Sequence, residues 1–181
     1  MFPQGGIHWD SLGETIVAQA VVQMINRNPS LHLEPIQFTY QITRVDPNTS
    51  DMDLSSLTEI FKPDLHFKVA QVRLCHNMRS PVSTMKLAVI GGSFNNNLTT
   101  TFFENKTFQQ IDYYYYFKQH RIFSNEENGS IAHDFDPTIK SGLAPILSAN
   151  IVILEENSSL TVSEHGQAFY SAMKEVGAVS S

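Results

Sequence analysis

The stretch Lys86-Leu87-Ala88-Val89-Ile90-Gly91-Gly92-Ser93-Phe94 decides how the chain is read. Lys86 to Ile90 form a short apolar run, of the length expected of a buried strand, and two glycines stop it. A helix is expected from Asn95 to Asn105. The implied order of strand, tight glycine turn and helix places the Ser93 hydroxyl at the strand's C-terminal edge, beside backbone N–H groups. A nucleophile with an oxyanion hole suits that position. Gly-Gly-Ser also occurs in plain turns, and that reading stays open here. A phosphate loop fits less well, because no Lys-Ser or Lys-Thr pair follows the glycines.

Downstream, Asn150-Ile151-Val152-Ile153-Leu154 is a second buried-strand candidate, followed by a loop from Glu155 to Ser159 and a helix from about Ser163 to Val176. Two strand-to-helix units of this kind predict an α/β fold with a parallel sheet covered by helices. Between them, Ile111 to Phe117 contains the consecutive Tyr113, Tyr114, Tyr115 and Tyr116. Tyrosine has strong β-propensity, so the run reads as a strand with alternate rings buried; a sugar-stacking surface is the other use of such rings. A polar stretch follows from Ser124 to Asp136.

Upstream, Gly13 to Asn26 spaces Val17, Val21, Met24 and Ile25 along one helical face, and Asn28-Pro29 is the stop. His8 and Trp9 lie in the loop feeding that helix, where backbone N–H groups are left without intrahelical partners. Ile36 to Ile42 alternates as a strand does, and Asp51 to Phe61 reads as a short helix. Pro47, Pro63 and Pro81 punctuate connecting structure within one domain. There is no internal repeat.

Bulk properties exclude several classes of function. The 181 residues are 41% hydrophobic and 17% charged, enough for a chain that buries roughly 70% of its unfolded surface without disulfides or a structural metal. A net charge of -6, with twelve basic residues scattered along the chain, argues against a nucleic-acid surface. Cys75 is the single cysteine, expected as a buried, inert thiol. No segment reaches the ~20 apolar residues of a membrane helix, and Met1 to Gly6 has neither the basic nor the apolar region of a signal peptide. No two of the seven histidines have the close spacing of zinc ligands, so neither metal nor cofactor is expected.

Serine chemistry needs an imidazole to accept the hydroxyl proton and return it to the leaving group. His8 is the candidate. Gly6-Ile7-His8-Trp9, followed by Gly13 and a helix, resembles the His-Trp motif of the alginate O-acetyltransferases, whose SGNH-hydrolase-like domain is permuted so that the His motif precedes the serine motif. Leu87-Ala88-Val89-Ile90-Gly91-Gly92-Ser93-Phe94 is similar to that family's apolar strand ending in Gly-Asp-Ser-Phe, and it follows in the expected order. Ala149 to Asn157 looks like the family's late strand and acidic turn.

The resemblance implies a three-layer SGNH-hydrolase-like, flavodoxin-like α/β fold: a parallel sheet flanked by helices. Because the family's domain extends well before its His motif, residues 1–181 are expected to be a single domain, the C-terminal part of a longer one, with sheet strands and any export signal upstream. It further implies acetyl transfer to hydroxyls of an exported, alginate-like polysaccharide in the periplasm or outside the cell, with an acyl donor and a membrane-bound acyl-transfer partner protein. Ser93 is then the nucleophile and His8 the base, with Asn95, Asn96 and Trp9 candidates for oxyanion or substrate contacts. Two positions depart from the family. Gly6 stands where an acid precedes the histidine, and Gly92 where Asp precedes the serine. The orienting carboxylate is therefore unassigned; Asp10 is near, and helix capping is its other role. A carbohydrate esterase and a catalytically impaired carbohydrate-binding module are the rival functions.

Overall fold

Asp10 begins the regular structure: its Oδ1 accepts the Gly13 N–H at 2.7 Å and caps α1, Ser11–Ile25. The computed structural model describes residues 8–44, 68–75, 83–127, 129–155 and 164–177. The chain divides into two compact units, Met1–Ser80 and Pro81–Ser181, and each is described by itself. The helix expected over Asp51 to Phe61 lies outside the described residues.

In the first unit, α1 turns Thr15, Ala18 and Val22 inward, whereas Met24 is exposed. The buried stripe is therefore displaced from the expected one. Small side chains on that stripe let the helix lie close to its neighbour, and Ser11 Oγ donates to the Ala70 carbonyl at 2.8 Å. That carbonyl belongs to β2, Lys68–Leu74, which pairs antiparallel with β1, Phe38–Arg44. At the far end of α1 the Asn26 side chain both donates to and accepts from the Leu33 backbone at 2.8 Å. Cys75, expected to be buried, is exposed just beyond the end of β2.

The second unit is built on β3, Lys86–Gly91. Leu87 to Ile90 are all fully buried, which requires cover on both faces of the sheet. Helix α2, Phe94–Glu104, follows at once and packs on β3 and β4, Gln110–Tyr115. It ends in a Schellman motif, with Thr107 N–H bonded to Phe102 O and Lys106 N–H to Phe103 O, Lys106 taking the left-handed position at φ 54°. β5, Gln119–Ser124, and β6, Gly129–Asp134, continue the sheet. After a 3₁₀ turn at Lys140–Leu143 come α3, Ala144–Ser148, β7, Ile151–Leu154, and α4, Glu164–Glu175.

Strand order is β6-β5-β4-β3-β7. β3 pairs parallel with β4 and with β7, whereas β4, β5 and β6 form an antiparallel meander. The architecture is thus α/β with helices flanking a mixed sheet, and the expected all-parallel sheet is corrected. Two short connections, the 116–118 turn and the few residues between Ser124 and Gly129, explain the change, since connections of that length can only return the chain antiparallel. One sheet face carries Ala88, Ile90, Tyr114, Phe117 and Phe135 against Leu143 and Ile146 of the 3₁₀–α3 segment and Phe169, Ala172 and Met173 of α4. Burying each such large side chain contributes about 1.5–3 kcal/mol. Tyr113 and Tyr114 are both fully buried, not alternately, because β4 is an interior strand covered on both faces.

Candidate active site at the Gly91-Gly92-Ser93 turn

Ser93 stands where the sequence places it, between the end of β3 and the first turn of α2. Its backbone is already helical, at φ -61° and ψ -25°, and its side chain makes no capping bond to the helix. The peptide groups before it are held from several sides. Gly92 N–H donates to Glu155 Oε2 at 2.7 Å, and the same oxygen accepts Asn95 Nδ2 at 2.8 Å. The Gly92 carbonyl accepts the Tyr113 hydroxyl and, at 3.2 Å, the Asn95 N–H. Burial pushes the Tyr113 hydroxyl pKa well up, and the Glu155 carboxylate adds to the effect. Tyr113 therefore stays protonated and can donate.

Both glycines are required by this packing. A Cβ at Gly91 would stand 2.2 Å from Asn95 Nδ2 and 2.6 Å from Glu155 Oε2. At Gly92 it would stand 2.9 Å from a ring carbon of Tyr116. Tyr116 reaches there from the β4–β5 turn, where it and Phe117 have φ of 49° and 55°. Two consecutive bulky residues at positive φ are strained. Tyr116 N–H bonds to Gly91 O at 2.8 Å, tying this turn to the one bearing Ser93, and its ring is 41% exposed.

A cation lies along the same α2-facing surface. Arg121 Nη1 donates to Asn96 Oδ1 at 2.7 Å, Nε donates to Gln119 Oε1, and the guanidinium lies 4.7 Å from the centroid of the Tyr115 ring. That distance is within cation–π range. The opposite face holds a buried polar pair, Asp112 and His120, 2% and 4% exposed. His120 Nε2 lies 2.8 Å from Asp112 Oδ1, Asp112 Oδ2 accepts Gln110 Nε2 at 2.7 Å, and the imidazole stacks on Tyr114 at 4.4 Å.

Of the candidates read from sequence, Ser93, Asn95 and Asn96 share the second unit and the α2 N-terminal turn. Asn95 is buried with its amide on Glu155, and Asn96 is engaged by Arg121. His8, Trp9 and Asp10 belong to the first unit, half-buried at the start of α1, where Asp10 serves as the cap. Glu155, Tyr113, Tyr116 and Arg121 were missed. Glu155 carried one usable signal: it immediately follows a strand read as parallel to the serine-bearing one, so the two strand ends lie side by side. Among the described residues no group of three or more His, Cys, Asp and Glu could hold a metal ion, and no helix is long and apolar enough to cross a membrane.

No family model and no curated protein matches the chain. Among solved structures it is similar to the O-acetyltransferase domain of Pseudomonas putida AlgJ, at 15% identity and a TM-score of 0.35, over 94% of this chain and 61% of that one. The chain spans about three-fifths of that structure's length. A likeness this distant does not identify the chain.

Proposed function

We propose that the chain is an O-acyltransferase of the SGNH type, moving an acetyl group through an ester on Ser93 to a hydroxyl of an exported, alginate-like polysaccharide. The observation that carries the reading is the Ser93 turn: a serine at the end of an interior strand, with the residue before it fixed at both N–H and C=O. A nucleophile held this way needs no reorganisation at the moment of attack. The ordered His-Trp and Gly-Gly-Ser-Phe motifs support the family reading, and with it the three-layer arrangement and the single-domain organisation.

In the proposed mechanism Ser93 Oγ attacks the acyl carbonyl while His8 takes its proton. The Ser93 N–H contributes to the oxyanion hole. Collapse of the tetrahedral intermediate breaks the bond to the donor's leaving group, which receives the proton from His8. An acceptor hydroxyl then attacks the acyl-serine, gives its proton to His8, and Ser93 leaves and is reprotonated. Trp9 is assigned to substrate contact. A membrane-bound partner delivers the acyl donor, and the reaction is periplasmic. Asp10 spends a carboxylate oxygen on the α1 cap, and Gly6 and Gly92 replace the family's acids. Turnover is therefore slow, since loss of an orienting acid costs on the order of 10⁴ in rate.

The test is incubation with a chromogenic acetyl ester followed by peptide mass spectrometry. Acetylation of Ser93, lost in Ser93→Ala without loss of folding, is the expected result. Absence of any acetyl-Ser93 from the folded protein, supplied with whatever sequence precedes it, would turn the reading to a carbohydrate-binding module. That alternative is favoured by the same two glycines and by the exposed Tyr116 ring beside the turn.

A further inference from the structure

We infer that Glu155 is a positioning residue of the nucleophile turn: its carboxylate, carried on β7, fixes the orientation in which Ser93 is presented. The inference rests on the acyl-enzyme reading and gives a role to a residue outside both the His-Trp and the Gly-Gly-Ser-Phe motifs.

The backbone of Glu155 is placed by the sheet. β7 runs parallel to β3 with Leu154 opposite Ile90, and Glu155 N–H extends that ladder to the Ile90 carbonyl at 2.9 Å. The residue thus emerges level with Gly91, and the missing Cβ at Gly91 leaves the passage through which its side chain reaches the turn. There a single oxygen, Oε2, accepts both Gly92 N–H and Asn95 Nδ2. One donor lies just before Ser93 and the other just after it, so the carboxylate bridges the two sides of the nucleophile. Bonds to an ionised acceptor are about twice as strong as neutral ones. Tyr113 holds the Gly92 carbonyl at the same time. With N–H and C=O both bonded, rotation of either peptide plane flanking Gly92 would break a hydrogen bond, which ties the Cα of Ser93 to the parallel strands. The bridging oxygen is engaged by two donors of this chain, which suits holding the turn rather than exchanging a proton with substrate.

Three substitutions separate this role from others. Glu155→Gln keeps an oxygen at the same reach, Glu155→Asp keeps the charge but falls one methylene short, and Glu155→Ala removes both. With the chromogenic acetyl ester, Glu155→Asp and Glu155→Ala are expected to acylate Ser93 about 10²-fold more slowly, the loss typical of a misplacement near 1 Å. KM is unchanged, and Glu155→Gln recovers to within about tenfold of the parent, because an amide oxygen accepts the same two N–H groups. An independent readout is hydrogen exchange at the Gly92 amide. It is slow in the parent and in Glu155→Gln, and about tenfold faster or more in the other two, as expected when a local bond opens.

Parent-like acylation in Glu155→Asp, or a Gln variant as slow as Ala with its Gly92 amide still protected, would overturn the positioning role while leaving the acyl-enzyme intact. A parent that never acylates Ser93 sinks the acyl-enzyme reading and the catalytic role of Glu155 with it. Unchanged Gly92 exchange in Glu155→Ala overturns the clasp itself, whatever the catalysis.

Discussion

Adding one methyl group at Gly91 probes the whole arrangement around Ser93. In Gly91→Ala the new Cβ would lie 2.2 Å from Asn95 Nδ2, 2.6 Å from Glu155 Oε2 and 2.8 Å from Glu155 Cβ. None of these is the loose end of an exposed side chain. Asn95 is buried on α2, and the Glu155 Cβ is fixed by the backbone bond to Ile90. Inserting a methyl into well-packed surroundings costs about 1–3 kcal/mol. Driving the carboxylate away also forfeits its two bonds, each worth about 1.5–3 kcal/mol when the acceptor is charged. These costs overlap, since moving the carboxylate relieves the clash, and about 3 kcal/mol is expected in all. Urea unfolding followed by far-ultraviolet circular dichroism would then show a midpoint lowered by about 1.5 M, for a slope near 2 kcal/mol per molar. Gly129→Ala is the control: its nearest neighbour would be Glu127 O at 3.8 Å, ordinary contact, and the change should stay within about 0.5 kcal/mol. Adding Asn95→Ala to Gly91→Ala should cost less than the two singles together, because the shortest contact has gone. A Gly91→Ala protein as stable as Gly129→Ala would refute the clasp.

Gly92→Ala meets Tyr116 ring carbons at 2.9 and 3.1 Å and should cost about 1–2 kcal/mol; adding Tyr116→Ala should remove most of that penalty, measured by the same unfolding transition. By the same contact, restoring the family's acid with Gly92→Asp should fail unless Tyr116 is truncated. The buried Tyr113 and Tyr114 hydroxyls have pKa values raised, by desolvation first and then by Glu155 and Asp112 respectively. A raised folded-state pKa means that the stability concerned is fully present below the unfolded value near 10 and is lost as pH rises beyond it, by about 1.4 kcal/mol per pH unit for each tyrosine. Tyr113→Phe and Tyr114→Phe should each flatten that alkaline decline in a stability-versus-pH series. Asp112→Ala leaves the buried His120 and Gln110 without their shared acceptor and should cost about 1–3 kcal/mol in thermal or urea unfolding, whereas a cost below that range would show that water replaces the carboxylate.

Elements with a strong apolar signature could be read directly. β3 and β7 announce themselves as apolar runs, and α2 and α4 follow within a residue of their expected starts. β5 and β6 were hidden for a physical reason. β6 is an edge strand exposed from Ser130 to Asp134, so nothing selects apolar side chains along it, and β5 buries a polar residue, His120, fully only because Asp112 satisfies it. Missing the meander is what made the sheet look wholly parallel. In α1 the expected face was wrong because Ala18 and Thr15, small and weakly apolar, occupy the close-approach stripe while Met24 faces outward. At the candidate site, Ser93 was legible from the strand–glycine–helix order. Asn95 was legible as a neighbour, but Glu155 and Tyr113 were not, because they converge on the turn from other strands and no local spacing reports that.

The bond from Gly92 N–H to Glu155 spans 63 positions along the chain, whereas the pairs that join β4 to β5 lie at most 14 apart. Closing a short loop costs less entropy than closing a long one, and local pairings form earlier in folding. The meander of β4, β5 and β6 can therefore assemble while β7 is still undocked. With β7 undocked, Ser93 would already sit at the head of α2 and Tyr113 could already hold the Gly92 carbonyl, but the Gly92 N–H and the Asn95 amide would lack the Glu155 carboxylate. By contact order alone, the bond between Gly92 and Glu155 is expected to close after the meander has paired. In reverse, detaching β7 would open the Gly92 N–H side of the turn while Tyr113 and Tyr116 still held its carbonyl side.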